Sequence, residues 1–186
     1  MERNIKSITE KHMQEALYFV EKVFTDHAGE GEGREVRTLV EQIRAGQYYL
    51  PELELIVTDE RDGLIGYAML SRFPLEGKHE NELLLLSPVA VKTALQRRHI
   101  SKDLLEYAFV KAAKMGFRAA IVEGDPRNYR ARGFDTSAKF GIVAGPRVHL
   151  PHVDCLMAKE LVPGGLEGIR GKVDYGMYPV LCPPEA

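Results

Sequence analysis

The sequence predicts an α/β layered domain in which helices flank a mixed, mostly antiparallel sheet. Hydrophobic residues recur every three or four positions near the N-terminus and again after residue 100, which indicates helices. Between these regions hydrophobic and polar residues alternate, which indicates strands. A chain of 186 residues with 45% hydrophobic residues can bury one sizeable core. The expected order is strand, two helices, antiparallel strands, long helix, strand, short helix and two strands, which favours helices packed on a mixed sheet.

The N-terminal part predicts a short strand at residues 4–8 and then two amphipathic helices. Thr9 is a suitable N-cap for the first helix. Gly46 is expected to end the second helix by adopting a left-handed conformation. Residues 29–33 (GEGEG) are predicted to be a flexible connection between the helices. The apolar stripes of the two helices consist of Met13, Leu17, Val20, Phe24, Val36, Leu39, Val40 and Ile43.

The middle of the chain predicts a hairpin followed by a buried central strand. Apolar residues alternate from 53 to 57, residues 61–63 (RDG) favour a turn, and residues 64–70 form the returning strand. Residues 83–91 are apolar apart from Ser87-Pro88. Because proline cannot donate a ladder hydrogen bond, we expect this strand to be interrupted or bulged there.

The C-terminal part predicts a long helix from Ile100 to Gly116 and a short buried strand at residues 119–122. A brief helix should start at residue 125 or 126 and run to residue 132, and late strands are expected at residues 140–143 and 155–161. We expect one domain over residues 1–162. Residues 163–186 should form an extension packed on that domain.

Composition excludes several classes of function. A net charge of −2, with both signs scattered along the chain, provides no field for binding nucleic acid or an anionic membrane. The longest apolar runs are far too short to span a bilayer, and residues 1–8 carry no export signal. Cys155 and Cys182 are expected to be reduced thiols in the cytoplasm. His149 and His152 lack a third nearby ligand, so we expect no metal site.

The most informative segment is residues 89–102 (VAVKTALQRRHISK), which predicts a strand, a polar basic loop and the start of the long helix. The N-terminus of a helix offers free backbone N–H groups and the positive end of its dipole, and both favour a phosphate or pyrophosphate group. A solvated basic turn that only begins the helix is an equally good interpretation of these features.

Residues 96–101 (QRRHIS) resemble the Q/R-x-x-G-x-G/A motif of the GNAT acetyltransferases, and residues 89–91 resemble the strand before that motif. His99 occupies the position of the first glycine in this motif. Ser101 occupies the position that is usually glycine or alanine. The resemblance implies acetyl-CoA as co-substrate. The implied cofactor-binding residues are Val89 and Val91 for the pantetheine arm, and Gln96, Arg97, Arg98, His99, Ile100, Ser101 and Lys102 for the pyrophosphate.

Residues 129–134 (YRARGF) resemble the Y-x-x-x-G-F segment of the same family, which implies that Tyr129 protonates the departing CoA thiolate. A tyrosine that merely packs a short helix is the alternative. Together with residues 123–126 and the tail at residues 161–175, these motifs resemble a predicted bacterial acetyltransferase subgroup of that family.

Acyl transfer to an amine also requires a base, because the attacking nitrogen must be neutral. Glu82, at the entrance of the central strand, is the first candidate, and Glu123 and Asp125 follow it; each could instead be a solvated strand end. The resemblance implies direct transfer in a ternary complex to an unidentified primary amine, on a small molecule or a peptide. A degenerate, non-catalytic CoA-binding or interaction module is the alternative, and a homodimer is left open.

Overall fold

The computed structural model describes residues 3–182 and contains the predicted alternation of helices and strands. The helices are α1 (Glu10–Ala28), α2 (Glu30–Ala45), α3 (Ile100–Lys114) and α4 (Pro126–Arg130). The strands are β1 (Asn4–Ser7), β2 (Glu54–Thr58), β3 (Leu64–Arg72), β4 (Leu83–Val91), β5 (Ala119–Glu123), β6 (Asp135–Thr136), β7 (Ile142–Ala144), β8 (Leu156–Glu160) and β9 (Gly171–Val173).

Seven strands form a sheet in the hydrogen-bonded order β1-β2-β3-β4-β5-β8-β6, and β7 pairs with β9 in a second, two-stranded sheet. The β1–β2, β2–β3, β5–β8 and β6–β8 pairs are antiparallel, whereas β4 and β5 are parallel. The mixed, mostly antiparallel sheet flanked by helices that the sequence predicts is therefore confirmed.

The chain divides into two compact units. The first unit combines the chain up to Leu70 with Pro88–Phe109, and the second combines Ser71–Ser87 with the chain from Val110 onwards. The apolar stripes of α1 and α2 supply part of the core of the first unit, where Ala16, Val20, Val40 and Ile43 are fully buried. In the second unit β5 is buried along most of its length.

The connection between α1 and α2 corrects one sequence prediction. Residues 30–33 are helical rather than a flexible linker, and only Gly29, with φ of 99°, separates the two helices. A Cβ added at Gly33 would lie 2.0 Å from Oγ1 of Thr25, so this glycine allows α2 to approach α1 closely. The glycines of this segment therefore serve helix packing.

Both predicted helix caps also differ from expectation. Thr9 occupies the N-cap position of α1, but its hydroxyl lies 2.8 Å from Nδ1 of His12 instead of bonding a helix amide. Gly46 follows α2 with an extended backbone (φ −93°, ψ 164°) rather than a left-handed one. The positions of Thr9 and Gly46 in the sequence correctly located the ends of these helices. They did not reveal the hydrogen bonds or backbone conformations at those ends.

The central strand β4 runs through Ser87 and Pro88, so an interruption there is wrong, whereas a bulge there stays a prediction. Its parallel pairing with β5 nevertheless covers only Leu83 to Leu85, opposite Ala119 to Ile121. Pro88 follows the end of this pairing, where its missing N–H costs no bond to β5. The second half of β4 therefore runs on without β5 as a neighbour.

The late strands are shorter and more numerous than predicted. Residues 137–140 form a 3₁₀ turn, Gly141 is left-handed with φ of 81°, and β7 begins only at Ile142. The two-residue β6 and three-residue β9 were not predicted, because such short segments show no measurable alternation. The predicted strand at residues 155–161 is confirmed as β8.

The tail of the chain packs within the second unit. The backbone N–H of Leu161 donates to the carbonyl of Arg118 at 2.9 Å, and the Arg118 guanidinium donates to the carbonyl of Glu167 at 2.8 Å. Leu166 and Ile169 are buried. No helix within residues 3–182 is long and apolar enough to cross a membrane.

Candidate active site

The name basic loop is used here for residues 96–102. They comprise the segment before α3 and the first residues of that helix, which begins at Ile100. The side chain of Ile100 is buried, and its Cγ2 would lie 3.0 Å from a Cβ added at Gly66 of β3. The guanidinium of Arg3 donates to the Arg98 carbonyl at 2.6 Å and to the Asp103 carboxylate at 2.8 Å. Apolar packing and these two bonds fix the loop against the first unit.

Two residues of the basic loop adopt left-handed backbone conformations. Arg97 and His99 both have φ of 62°, a conformation that glycine adopts without steric cost and other residues adopt rarely. His99 stands where the motif prefers glycine, and the φ angle supplies the reason for that preference. Histidine is therefore accommodated at a modest cost in strain, and its side chain is exposed to solvent.

The basic loop carries positive charge that the described protein leaves largely unneutralised. The side chains of Arg97 and Arg98 are exposed, and neither forms an ion pair with any residue in the range 3–182. Lys102 is 3.9 Å from Glu106, a loose contact at the surface. With the free N–H groups at the start of α3, the two arginines can hold a pyrophosphate.

The remaining predicted cofactor residues frame this loop. Gln96 is exposed, Ser101 is half-buried in the first turn of α3, and Val89 and Val91 are half-buried on β4. Both valines lie on the part of β4 beyond its pairing with β5. The backbone N–H and C=O groups on this part of β4 do not pair with β5, so they can form hydrogen bonds to an extended ligand.

Tyr129 lies on α4, a short helix that begins immediately after β5. Asp125 caps this helix by accepting a hydrogen bond from the Arg127 backbone N–H at 2.9 Å. The tyrosine ring packs edge-on against Phe134, with ring centroids 5.6 Å apart, and a Cβ at Gly124 would lie 2.6 Å from it. Burial raises the pKa of Tyr129, so its hydroxyl holds a proton at neutral pH.

Glu82, the first candidate for the base, occupies an unsuitable position. Glu82 precedes Leu83, where the pairing of β4 with β5 begins. It therefore lies at the far end of this pairing from the point at which the two strands cease to pair. Its carboxylate is bonded to His79 at 2.8 Å and to Arg118, and these two bonds lower its pKa. A carboxylate already engaged by two partners and made less basic is a poor proton acceptor, and we therefore withdraw Glu82 as the base.

Glu123 ends β5 at the edge where pairing with β4 has stopped. Oε2 of Glu123 accepts a hydrogen bond from the Tyr175 hydroxyl at 2.9 Å, whereas Oε1 has no partner within the described chain. Asp125, the other candidate, is bonded to Arg127 as well as capping α4, and these bonds lower its pKa. Of the three carboxylates, only Glu123 keeps an oxygen available.

The contact between Glu123 and Tyr175 was not predicted from the sequence. The two residues are 52 positions apart, and Tyr175 lies in the tail after the short strand β9. Burial raises the pKa of Tyr175, and the neighbouring Glu123 carboxylate raises it further, so this hydroxyl remains a donor. Within residues 3–182 no group of three or more histidine, cysteine, aspartate or glutamate side chains could hold a metal ion.

The basic loop at a helix N-terminus in the first unit and the half-buried tyrosine after β5 in the second unit are features expected of an acyl-CoA-dependent acyltransferase. The sequence model of the acetyltransferase (GNAT) family matches residues 17–137, and the chain therefore belongs to the GNAT acetyltransferase family. It is an N-acetyltransferase that uses acetyl-CoA as its co-substrate.

Individual relatives agree with this assignment. The uncharacterized N-acetyltransferase YhbS of Escherichia coli strain K12 is 24% identical over 124 residues, which cover 66% of this chain and 71% of YhbS. The crystal structure of E. coli YhbS in complex with CoA matches with a TM-score of 0.81 and 19% identity, over 95% of this chain and 91% of that one. A GNAT acetyltransferase from Brucella melitensis in complex with acetyl-CoA gives a TM-score of 0.70 and 16% identity, over 95% and 98% of the two chains.

Proposed function

We propose that this protein transfers the acetyl group of acetyl-CoA to a primary amine by direct attack in a ternary complex. The observation that carries the proposal is the basic loop at the start of α3, where Arg97 and Arg98 are exposed and form no ion pair with any of residues 3–182. Acetyl-CoA supplies an activated thioester and a pyrophosphate by which it can be held. The cytoplasm, where two free thiols persist, is the proposed compartment, and the organisms of the relatives support a bacterial origin.

The proposed cofactor contacts all lie in the first unit. Backbone N–H groups of the basic loop bind the pyrophosphate, and the guanidinium groups of Arg97 and Arg98 add charge-assisted hydrogen bonds. The backbone of Val89 and Val91 bonds the pantetheine arm, and a backbone amide of β4 polarises the thioester carbonyl. We expect the departure from glycine at His99 to leave the loop able to bind, because the backbone has the left-handed conformation that glycine favours and the side chain is exposed.

The proposed proton transfers are made by residues of the second unit. Glu123 accepts the proton that the amine must lose, and the Tyr175 hydroxyl orients the carboxylate by bonding its other oxygen. The amine nitrogen forms a bond to the acetyl carbonyl carbon as the carbon–sulfur bond breaks. Tyr129 donates its hydroxyl proton to the departing sulfur, and its raised pKa keeps that proton on the hydroxyl until the sulfur leaves.

Isothermal titration with acetyl-CoA tests the cofactor site. The wild type should bind one ligand per chain, and Arg98→Ala should weaken binding about 10-fold, the effect of one charge-assisted hydrogen bond. Arg34→Ala, at an exposed arginine of α2, is the matched control and should leave the affinity unchanged. His99→Gly should also bind acetyl-CoA with an affinity close to the wild type. Absence of binding in the wild type, restored by His99→Gly, would contradict the proposal.

Steady-state kinetics of Tyr129→Phe test the general acid. Loss of the hydroxyl should lower kcat about 100-fold, the lower end of the range for general acid–base catalysis, without weakening acetyl-CoA binding. Tyr107→Phe, at an exposed tyrosine of α3, is the control for removing a hydroxyl that takes no part in the reaction. Equal kcat values for the two variants would remove Tyr129 from the mechanism.

A further inference from the structure

The second unit contains an apolar cavity of about 260 Å³ that the proposed function does not use. Aliphatic side chains from β7, from the loop after it and from the start of β8 line this cavity. Val143 is 41% exposed at its rim, so the cavity is open to solvent. The aliphatic side chains that line the cavity include those of Ile142, Val143, Ala144, Val148, Leu150 and Leu156.

One wall of the cavity is directly connected to Glu123. Leu156 lies opposite Glu123 in the antiparallel β5–β8 ladder. Side chains of directly opposed residues project from the same face of a sheet, with Cβ atoms about 5 Å apart. The Glu123 carboxylate and the apolar wall formed by Leu156 therefore stand side by side.

The opposite wall is connected to the tyrosine that bonds Glu123. Ala144 pairs with Val173 in the β7–β9 ladder, and the Gly145 backbone N–H donates to the Val173 carbonyl at 2.9 Å. Two residues after Val173, the Tyr175 hydroxyl donates to Oε2 of Glu123. The strands that build the cavity thus also fix the carboxylate, which leaves Oε1 available for a cation.

We propose that this cavity binds the apolar group of the acceptor, and that Glu123 binds its ammonium group. The substrate class is a small primary amine that carries an aromatic or branched aliphatic group. This assignment rests on the proposed amine acetylation. A cavity of about 150 Å³ is sufficient for benzene, so the present one accommodates a six-membered ring. The carboxylate selects the positive charge, and the aliphatic walls select the group attached to it.

The two parts of the site act in sequence on one molecule. The ammonium binds Glu123 and then gives it one proton, after which the neutral nitrogen bonds to the acetyl carbon. The carbon–sulfur bond breaks, and the sulfur leaves as the thiol of CoA with the proton from Tyr129. The nitrogen then loses its second proton, which returns to the Tyr129 phenolate and restores the hydroxyl. The products are an N-acetylated apolar amine, which has lost its positive charge, and CoA. Loss of that charge weakens the contact with Glu123 and favours product release.

The test compares kcat/KM of the full chain for 2-phenylethylamine and ethylamine, which share the ammonium group but differ in the apolar group. The wild type should prefer 2-phenylethylamine about 10- to 100-fold, as burial of one aromatic ring predicts. Ala144→Leu, which fills the cavity, should reduce the preference to a few-fold by lowering kcat/KM for 2-phenylethylamine more than for ethylamine. Ala113→Leu on α3 adds the same carbons outside the cavity and should keep the full preference.

Each outcome separates this inference from the proposed function. Acetylation of both amines with equal kcat/KM in the wild type overturns the cavity assignment alone, without any variant that must fold. Failure to acetylate either amine, in protein that binds acetyl-CoA and acetylates another primary amine, overturns the cavity assignment, whereas failure with every primary amine overturns the proposed function as well. A peptide with N-terminal phenylalanine that is acetylated faster than 2-phenylethylamine overturns the assignment to a small amine.

Discussion

Glu54 and Glu123 are both strand-end carboxylates that accept a hydrogen bond from a buried tyrosine, but their surroundings differ. Glu54 begins β2 and is fully buried, and Tyr67 donates to it at 2.7 Å. Arg44 and Tyr49 donate to it as well, so both of its oxygens are occupied. Glu123 ends β5, is exposed, and has one oxygen without a partner in the described chain.

The difference indicates which carboxylate serves stability and which serves reactivity. A buried charge is tolerated only when hydrogen bonds and an ion pair replace water, and the Glu54 cluster supplies both. The Arg44 guanidinium also donates to the Met13 carbonyl at 3.0 Å, which connects α2 to α1. Within the described chain Glu123 has no such cluster, and its free oxygen can exchange a proton with a ligand.

Glu54→Gln should lower the free energy of unfolding by about 3–5 kcal/mol, because it removes the charge of a fully buried carboxylate and leaves the half-buried Arg44 without its counter-ion. Chemical denaturation followed by circular dichroism measures the change. Glu52→Gln, two residues earlier and exposed, should change stability by less than about 0.5 kcal/mol. Similar stabilities for the two variants would show that the Glu54 cluster contributes nothing beyond packing.

Much of the fold could be predicted because hydrophobic periodicity is a local property. The helices α1, α2 and α3 and the strands β2, β3 and β5 follow from such patterns. The Glu54 cluster does not, because a glutamate at the start of an apolar strand looks the same whether it is solvated or buried. Only the fold brings Arg44, Tyr49 and Tyr67 to it.

The candidate site was predictable where a motif is contiguous. Residues 96–101 and Tyr129 were found in this way, but the left-handed φ at His99 was not, since a sequence motif records residue type and not conformation. Glu82 was favoured as the base because its bonds to His79 and Arg118 cannot be read from the sequence. The Glu123–Tyr175 contact required the position of the tail.

Glu123→Gln should lower kcat for acetyl transfer about 100-fold, because the amide cannot accept the proton of the amine. Stability should change by less than about 1 kcal/mol, since the side chain is exposed. Steady-state kinetics and denaturation of the same preparation measure both effects. Glu82→Gln is the matched control and should retain nearly full activity. Loss of activity in Glu82→Gln with retention in Glu123→Gln would reverse our assignment of the base.

The two tyrosines should reproduce the contrast between their glutamates on a smaller scale. Tyr67→Phe removes one donor from the buried Glu54 and should cost about 1–3 kcal/mol of stability. Tyr175→Phe removes a donor from an exposed carboxylate that water can reach, so its cost should be about 1 kcal/mol or less. Thermal unfolding measures both, and a larger loss for Tyr175→Phe would contradict the division. Tyr175→Phe should also lower kcat/KM, because Glu123 loses its orienting bond.

The smallest effect is expected at Glu82, an ion-paired and half-buried carboxylate. The bonds from His79 and Arg118 hold its pKa below the ordinary value of 4.5, so the folded protein binds this proton less readily than the unfolded chain does. Its contribution to stability is therefore complete above about pH 4.5 and is lost as pH falls through the lowered pKa. Because its side chain is 36% exposed, that contribution should not exceed about 1 kcal/mol at neutral pH. Denaturation of wild type and Glu82→Gln should show this small difference at pH 7 and a smaller one as pH falls below 4.5, whereas a difference that grows on acidification would mean that the pKa of Glu82 is raised.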